Sequence, residues 1–98
     1  MATVYILFSK KFDRYYVGSC LNLDERIADH KSKKYQNSYT CDADDWELFY
    51  KLVDLGYRQA REIEKHIKKM KSRSYIENLK KYNEISIKLL ELYKNDTN

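Results

Sequence analysis

Two short runs of strand-forming residues, 4–8 and 15–19, stand six residues apart near the head of the chain, and this spacing limits the fold more than any other feature. Val4-Tyr5-Ile6-Leu7-Phe8 and Tyr15-Tyr16-Val17-Gly18-Ser19 are β-branched, aromatic and apolar, whereas Ser9-Lys10-Lys11-Phe12-Asp13-Arg14 between them is polar. A parallel pair needs a crossover of a dozen or more residues, so runs this close form an antiparallel hairpin. Gly18, near the end of the second run, marks a place where another group approaches the backbone closely.

The rest of the chain reads as one strand and three helices. Asn22-Leu23-Asp24-Glu25 has the form of a helix start, with acidic residues at the positive end of the helix dipole. This helix reaches about His30 or Ser32, with Leu23 and Ile27 facing inward beside Ala28. Residues 33–45 are polar and aperiodic, a loop; residues 46–53, from Trp46 to Val53, make a third strand that Asp54-Leu55-Gly56 ends. From Tyr57 the apolar residues Ala60, Ile63, Ile67 and Met70 recur at helical steps, up to about Lys71. Ser74-Tyr75-Ile76-Glu77 has the form of a capping box, opening a final helix that carries Ile76, Leu79, Leu90 and Tyr93 and frays over 95–98. Only two glycines and no proline interrupt these elements, so helices with short connections dominate. With no linker or repeat, 98 residues form one unit in the order β-β-α-β-α-α.

A formal net charge of +4 and a pI near 9.0 favour a polyanionic partner without proving one. Position is more telling than total. Lys31, Lys33 and Lys34 follow the first helix, and Lys65, Lys68, Lys69, Lys71 and Arg73 crowd a later stretch, while Asp42, Asp44 and Asp45 gather elsewhere. Met1 to Phe8 lacks the charged start and long apolar run of a signal peptide, and no run approaches a membrane span. Cys20 and Cys41 lack metal-site spacing, so free thiols in a cytoplasmic chain are expected.

The residues with chemical potential are Tyr5, Tyr16, Arg26, His30 and Glu64. Arg26 and His30 are four apart, on one helical face. An arginine fork matches phosphate oxygens, and a histidine beside it can relay a proton or orient a tyrosine. By spacing alone, an ordinary exposed pair is the commoner meaning. Tyr5 and Tyr16 sit on the paired strands, where their rings can flank one pocket; a phenol ordinarily titrates near ~10 and is a poor base until cations lower it. Taken singly, each is more often a packed aromatic. Glu64, at the border of an apolar helical stripe, can be a hard-oxygen ligand for Mg²⁺ or one half of an i,i+4 pair with Lys68. Together, the five suit metal-assisted cleavage of a phosphodiester.

In order and spacing these residues resemble the GIY-YIG nuclease superfamily, specifically its small, single-domain bacterial members, over residues 3 to about 79. The first signature falls on Thr3-Val4-Tyr5, with Thr3 and Val4 in place of Gly and Ile, and the second on Tyr16-Val17-Gly18. Arg26 and His30 match the family's helical arginine and histidine, and Glu64 its metal-binding glutamate. Lys71-Ser72-Arg73-Ser74-Tyr75-Ile76-Glu77 is similar to the subgroup's closing motif. Asp44-Asp45 stands where the family has a proline before the tryptophan.

The resemblance implies an α+β fold, a three-stranded antiparallel sheet flanked by helices, with a nuclease domain over 1–79; it says nothing of residues 80–98, which are read as an additional helical extension of the same domain. It also implies hydrolysis of nucleic-acid phosphodiesters with one divalent ion, Mg²⁺ or Mn²⁺, held by Glu64, and the leading reading is an endonuclease acting on DNA. Arg26 would offset the growing charge, Tyr5 or Tyr16 would activate water, and His30 would orient that tyrosine or take its proton. Lys33, Lys34, Lys68, Lys69 and Lys71 are the candidate phosphate contacts. With no separate DNA-reading element, selection would follow nucleic-acid structure, as in DNA repair, and RNA remains an alternative substrate. A non-catalytic DNA-binding or repair-accessory module is the competing reading. A third is a protein-interaction unit in which Tyr82, Ile85, Leu89, Leu92 and Tyr93 form a homodimer seam, unless they pack on the sheet.

Overall fold

The computed structural model describes residues 1–31 and 45–94, the side chains of residues 30 and 31 excepted. Lys33, Lys34, Cys41 and nearly all of the expected 33–45 loop lie outside the described residues.

The hairpin forms as its spacing requires. Strand β1 (Ala2–Ser9) pairs antiparallel with β2 (Arg14–Cys20), and its other edge takes β3 (Trp46–Leu55), also antiparallel, giving the order β2-β1-β3. Two register shifts let the ten residues of β3 follow the eight of β1, irregularities that bend and twist the longer strand. Helix α1 (Leu23–Lys31) starts where Asn22 Oδ1 accepts the Glu25 amide at 3.1 Å. The helices α2 (Tyr57–Met70), α3 (Arg73–Lys81) and α4 (Asn83–Leu92) follow β3.

Because β1 is central, its alternating side chains feed two cores. Val4 and Ile6 face Ala60, Ile63 and Ile67 of α2, with Ile76, Leu79 and Leu89 beyond. Tyr5 and Leu7 face the opposite way, packing with Cys20 and Trp46 under Leu23 and Ile27 of α1. Each such aliphatic side chain withdrawn from water contributes about 1.5–3 kcal/mol, so helices on both faces hold a sheet with three strands among the described residues.

The fold class is the expected one, but the C-terminal helices differ in two respects. The cap of α3 is Ser72, whose Oγ accepts the Tyr75 amide at 3.1 Å, rather than Ser74. Glu77, the acid of the expected capping box, instead accepts a 3.4 Å hydrogen bond from the Tyr15 hydroxyl. The single final helix is two, broken at Tyr82, whose backbone is extended (φ −119°, ψ 105°). An unbroken helix would carry the stripe of Ile76 and Leu79 onto polar Asn83. The break re-phases the chain, so that Ile85 packs on the core and Leu89 is 3% exposed within it. Tyr93 also packs there, whereas Tyr82 and Leu92 stay exposed. The Tyr50 and Ser86 hydroxyls, 2.5 Å apart, tie α4 to the sheet.

Candidate active site

Among the candidate site residues whose side chains are described, Tyr5 is the deepest, with 1% exposure. It lies across Gly18, its partner on β2. A Cβ at Gly18 would stand 2.6 Å from the Tyr5 hydroxyl oxygen and 2.7 Å from Cζ. The glycine therefore makes room for the phenol; it is not a left-handed turn residue, since no glycine here has positive φ. Tyr16 lies on the same face, its ring 6.2 Å from that of Tyr5 and 6.5 Å from Trp46. It is half-buried and so reaches solvent.

Arg26 belongs to α1, the helix covering this face, and is half-buried. Burial raises the Tyr5 phenol well above its ordinary value; the Tyr16 phenol pushes the same way, Arg26 opposes, and Cys20 and Glu64 add to the rise. Burial also pushes up the Cys20 thiol, again against the pull of Arg26. One guanidinium thus acts on both buried groups. His30 follows Arg26 by one turn of α1, and its side chain lies outside the described residues.

Glu64 comes from the other layer. Ser19 is paired with Val4, hence on the α2 face, and its Oγ donates to Glu64 Oε1 at 2.5 Å. Lys68, one turn further along α2, donates to Oε2 at 2.7 Å. Carboxylate and phenols are therefore anchored on opposite faces of the sheet. They share a neighbourhood because β2 is an edge strand: the Lys68 ammonium lies 6.0 Å from the centre of the Tyr16 ring, and Glu64 still bears on the Tyr5 phenol. The five residues do not line one concave face. Tyr5, Tyr16 and Glu64 come together around β2, whereas Arg26 lines a separate cavity of about 200 Å³ with Cys20, Glu25 and Asp29.

Two grooves meet here. One, about 520 Å³, runs beside Tyr16 and is lined by Arg14, Lys68 and Lys71, with Ser72 and Arg73 at its end. The other, about 530 Å³, holds Ser19 and Glu64 with Arg61, Lys65 and Lys68. Of the expected phosphate contacts, Lys68 and Lys71 line the groove beside Tyr16. Lys69 instead lines a cavity with His66 and Tyr93. Ser19, Arg14 and Arg61 went unnoticed as site residues, and Lys65 was noted only as part of a basic stretch. Only the helical recurrence of Arg61, Lys65 and Lys68 could have pointed to any of them; nothing marks Ser19 beyond its place after Gly18.

The donors at Glu64, a carboxylate and a serine hydroxyl, are hard oxygens of the kind Mg²⁺ and Mn²⁺ accept. Among the described residues no three His, Cys, Asp or Glu side chains cluster. An ion at Glu64 would thus complete its shell with water and phosphate, as Mg²⁺ usually does. Lys68 now occupies one of the two carboxylate oxygens.

A hairpin with a tyrosine on each strand, a helical arginine over them and a glutamate at the sheet edge define a small α+β domain built around a polar site. The family model of the GIY-YIG catalytic domain matches residues 1–83, and the chain belongs to that family. The family's domain is a nuclease, so nucleic acid is the substrate class. Neither a curated protein nor a solved structure matches the chain. Among the described residues no helix is long and apolar enough to cross a membrane.

Proposed function

We propose that the chain is a divalent-metal-dependent endonuclease that cuts DNA by structure rather than by sequence. The observation carrying this reading is that Glu64, bonded to Lys68 whose ammonium lies 6.0 Å from the centre of the Tyr16 ring, shares the neighbourhood of β2 with Tyr16 and with the Tyr5 ring 6.2 Å away. Binding alone does not call for a buried phenol and a carboxylate around one strand.

Glu64 would hold one Mg²⁺ or Mn²⁺, which as a Lewis acid stabilises charge on the phosphate. Arg26 pairs with the non-bridging oxygens through its planar fork and offsets the charge that grows on them. Tyr16, half-buried and open to solvent, takes a proton from the attacking water while its own passes to His30. The water oxygen bonds to phosphorus as the opposite P–O bond breaks, and the leaving oxygen takes a proton from solvent. Tyr5, buried and strongly favoured in its protonated form, keeps its proton and packs beside Tyr16, positioning that ring. Arg14, Lys68 and Lys71 hold the backbone on either side, so binding weakens with salt. A site this small, read by shape, suits branched or damaged DNA and hence repair in the cytoplasm.

The test is cleavage of supercoiled, branched and single-stranded DNA, with RNA alongside, in Mg²⁺. Wild type should cut branched DNA fastest and lose activity to chelator. Glu64→Ala should be slower by at least about 100-fold, the scale of losing one charge-stabilising group. Undiminished cleavage by Glu64→Ala would remove that residue from the metal role.

A further inference from the structure

We propose that Lys68 is a two-position residue. In the free protein its ammonium occupies the Glu64 oxygen that a divalent ion needs; when the ion binds, Lys68 turns into the groove beside Tyr16 and holds a phosphate. This rests on Glu64 being the metal ligand. Both carboxylate oxygens are engaged, Oε1 by Ser19 at 2.5 Å and Oε2 by Lys68 at 2.7 Å. A divalent ion and an ammonium at Oε2 compete, because their like charges repel at such short range.

The exchange asks little of the protein. The Lys68 side chain is 51% exposed and that of Glu64 22%, and an exposed i,i+4 pair is weak. A lysine is a point charge on a flexible stem, able to move without any change in the backbone. Its second position is close by: the ammonium is 6.0 Å from the Tyr16 ring centre, and Lys68 lines both grooves. Lys65 shares the Glu64 groove and the same charge, yet does not line the groove beside Tyr16. The proposal therefore assigns Lys68 a task that Lys65 cannot perform.

Mn²⁺ binding followed by electron paramagnetic resonance, on wild type and on Glu64→Gln, Lys68→Met and Lys65→Met, supplies one readout. Fluorescence anisotropy of a labelled oligonucleotide, with and without Ca²⁺, supplies the other. Lys68→Met should tighten Mn²⁺ about two- to threefold more than Lys65→Met does, the scale of an exposed ion pair. It should also weaken oligonucleotide binding more with Ca²⁺ present than without. Equal Mn²⁺ gains for the two lysine variants, or an oligonucleotide loss independent of Ca²⁺, would overturn the proposal while leaving Glu64 as the ligand. Wild-type Mn²⁺ affinity in Glu64→Gln would instead overturn the metal role itself, and the exchange with it.

Discussion

At Gly18 the site depends on the absence of a single methyl group. The Tyr5 ring passes over this position with its hydroxyl 2.6 Å from where a Cβ would be, and at 1% exposure it has nowhere to retreat. Gly18→Ala should therefore cost about 1–3 kcal/mol, as overpacking does, and slow cleavage by displacing the phenol. Urea unfolding with parallel plasmid nicking measures both. Unchanged stability would mean that the ring does not cross the strand there. The close approach was legible at Gly18, since glycine inside a strand has few other meanings. The Ser19 contact with Glu64 was not, because it joins residues 45 apart in sequence and serine carries no positional signal.

Elements were legible wherever pattern and propensity agreed, as in the hairpin strands, the Asn22 cap and the stripe of α2. The start of α3 was ambiguous because Ser72 and Ser74 both precede the helical pattern, and the amide geometry selects Ser72. The break at Tyr82 answers to the shared core and not to any local signal. Asp45 joins elements in a way that the resemblance alone does not suggest. Standing where the family has proline, it accepts from Ser9 Oγ at 2.7 Å and from the Lys11 amide at 2.8 Å, fastening the β1–β2 turn to the start of β3. These bonds hold its carboxyl below the ordinary value of 3.8, the Ser9 hydroxyl contributing most. The folded state thus takes up this proton less readily than the unfolded chain. Its contribution is complete above the ordinary value and lost as pH falls through the lowered one. Asp45→Asn should flatten the acid side of the stability profile and leave the neutral side nearly parallel to wild type, as thermal unfolding across that range would show. A parallel acid side would contradict it.

At the scale of the whole molecule, the thinness of the sheet makes the site. With three strands among the described residues, in the order β2-β1-β3, the strand carrying Tyr16 and Ser19 is an edge. A carboxylate from the α2 layer can then reach the neighbourhood of phenols on the α1 layer, whereas a fourth strand beside β2 would part them. The C-terminal helix belongs to the same body: Leu89 sits in the core, Gln59 Nε2 donates to the Leu90 carbonyl at 3.3 Å, and the His66 ring and Tyr93 hydroxyl meet at 2.9 Å. Much of the apolar seam that could have served a second copy is thus used within the chain. The order of motifs along the sequence conveyed the family; it did not convey that the site bends around a strand edge. Crystals soaked in Mn²⁺ and measured at its absorption edge test that arrangement most directly. An anomalous peak about 2.1 Å from a Glu64 oxygen, on the side facing Tyr16, is the expected result. No peak at Glu64, with density instead at an acid such as Asp13 or Asp45, would contradict it.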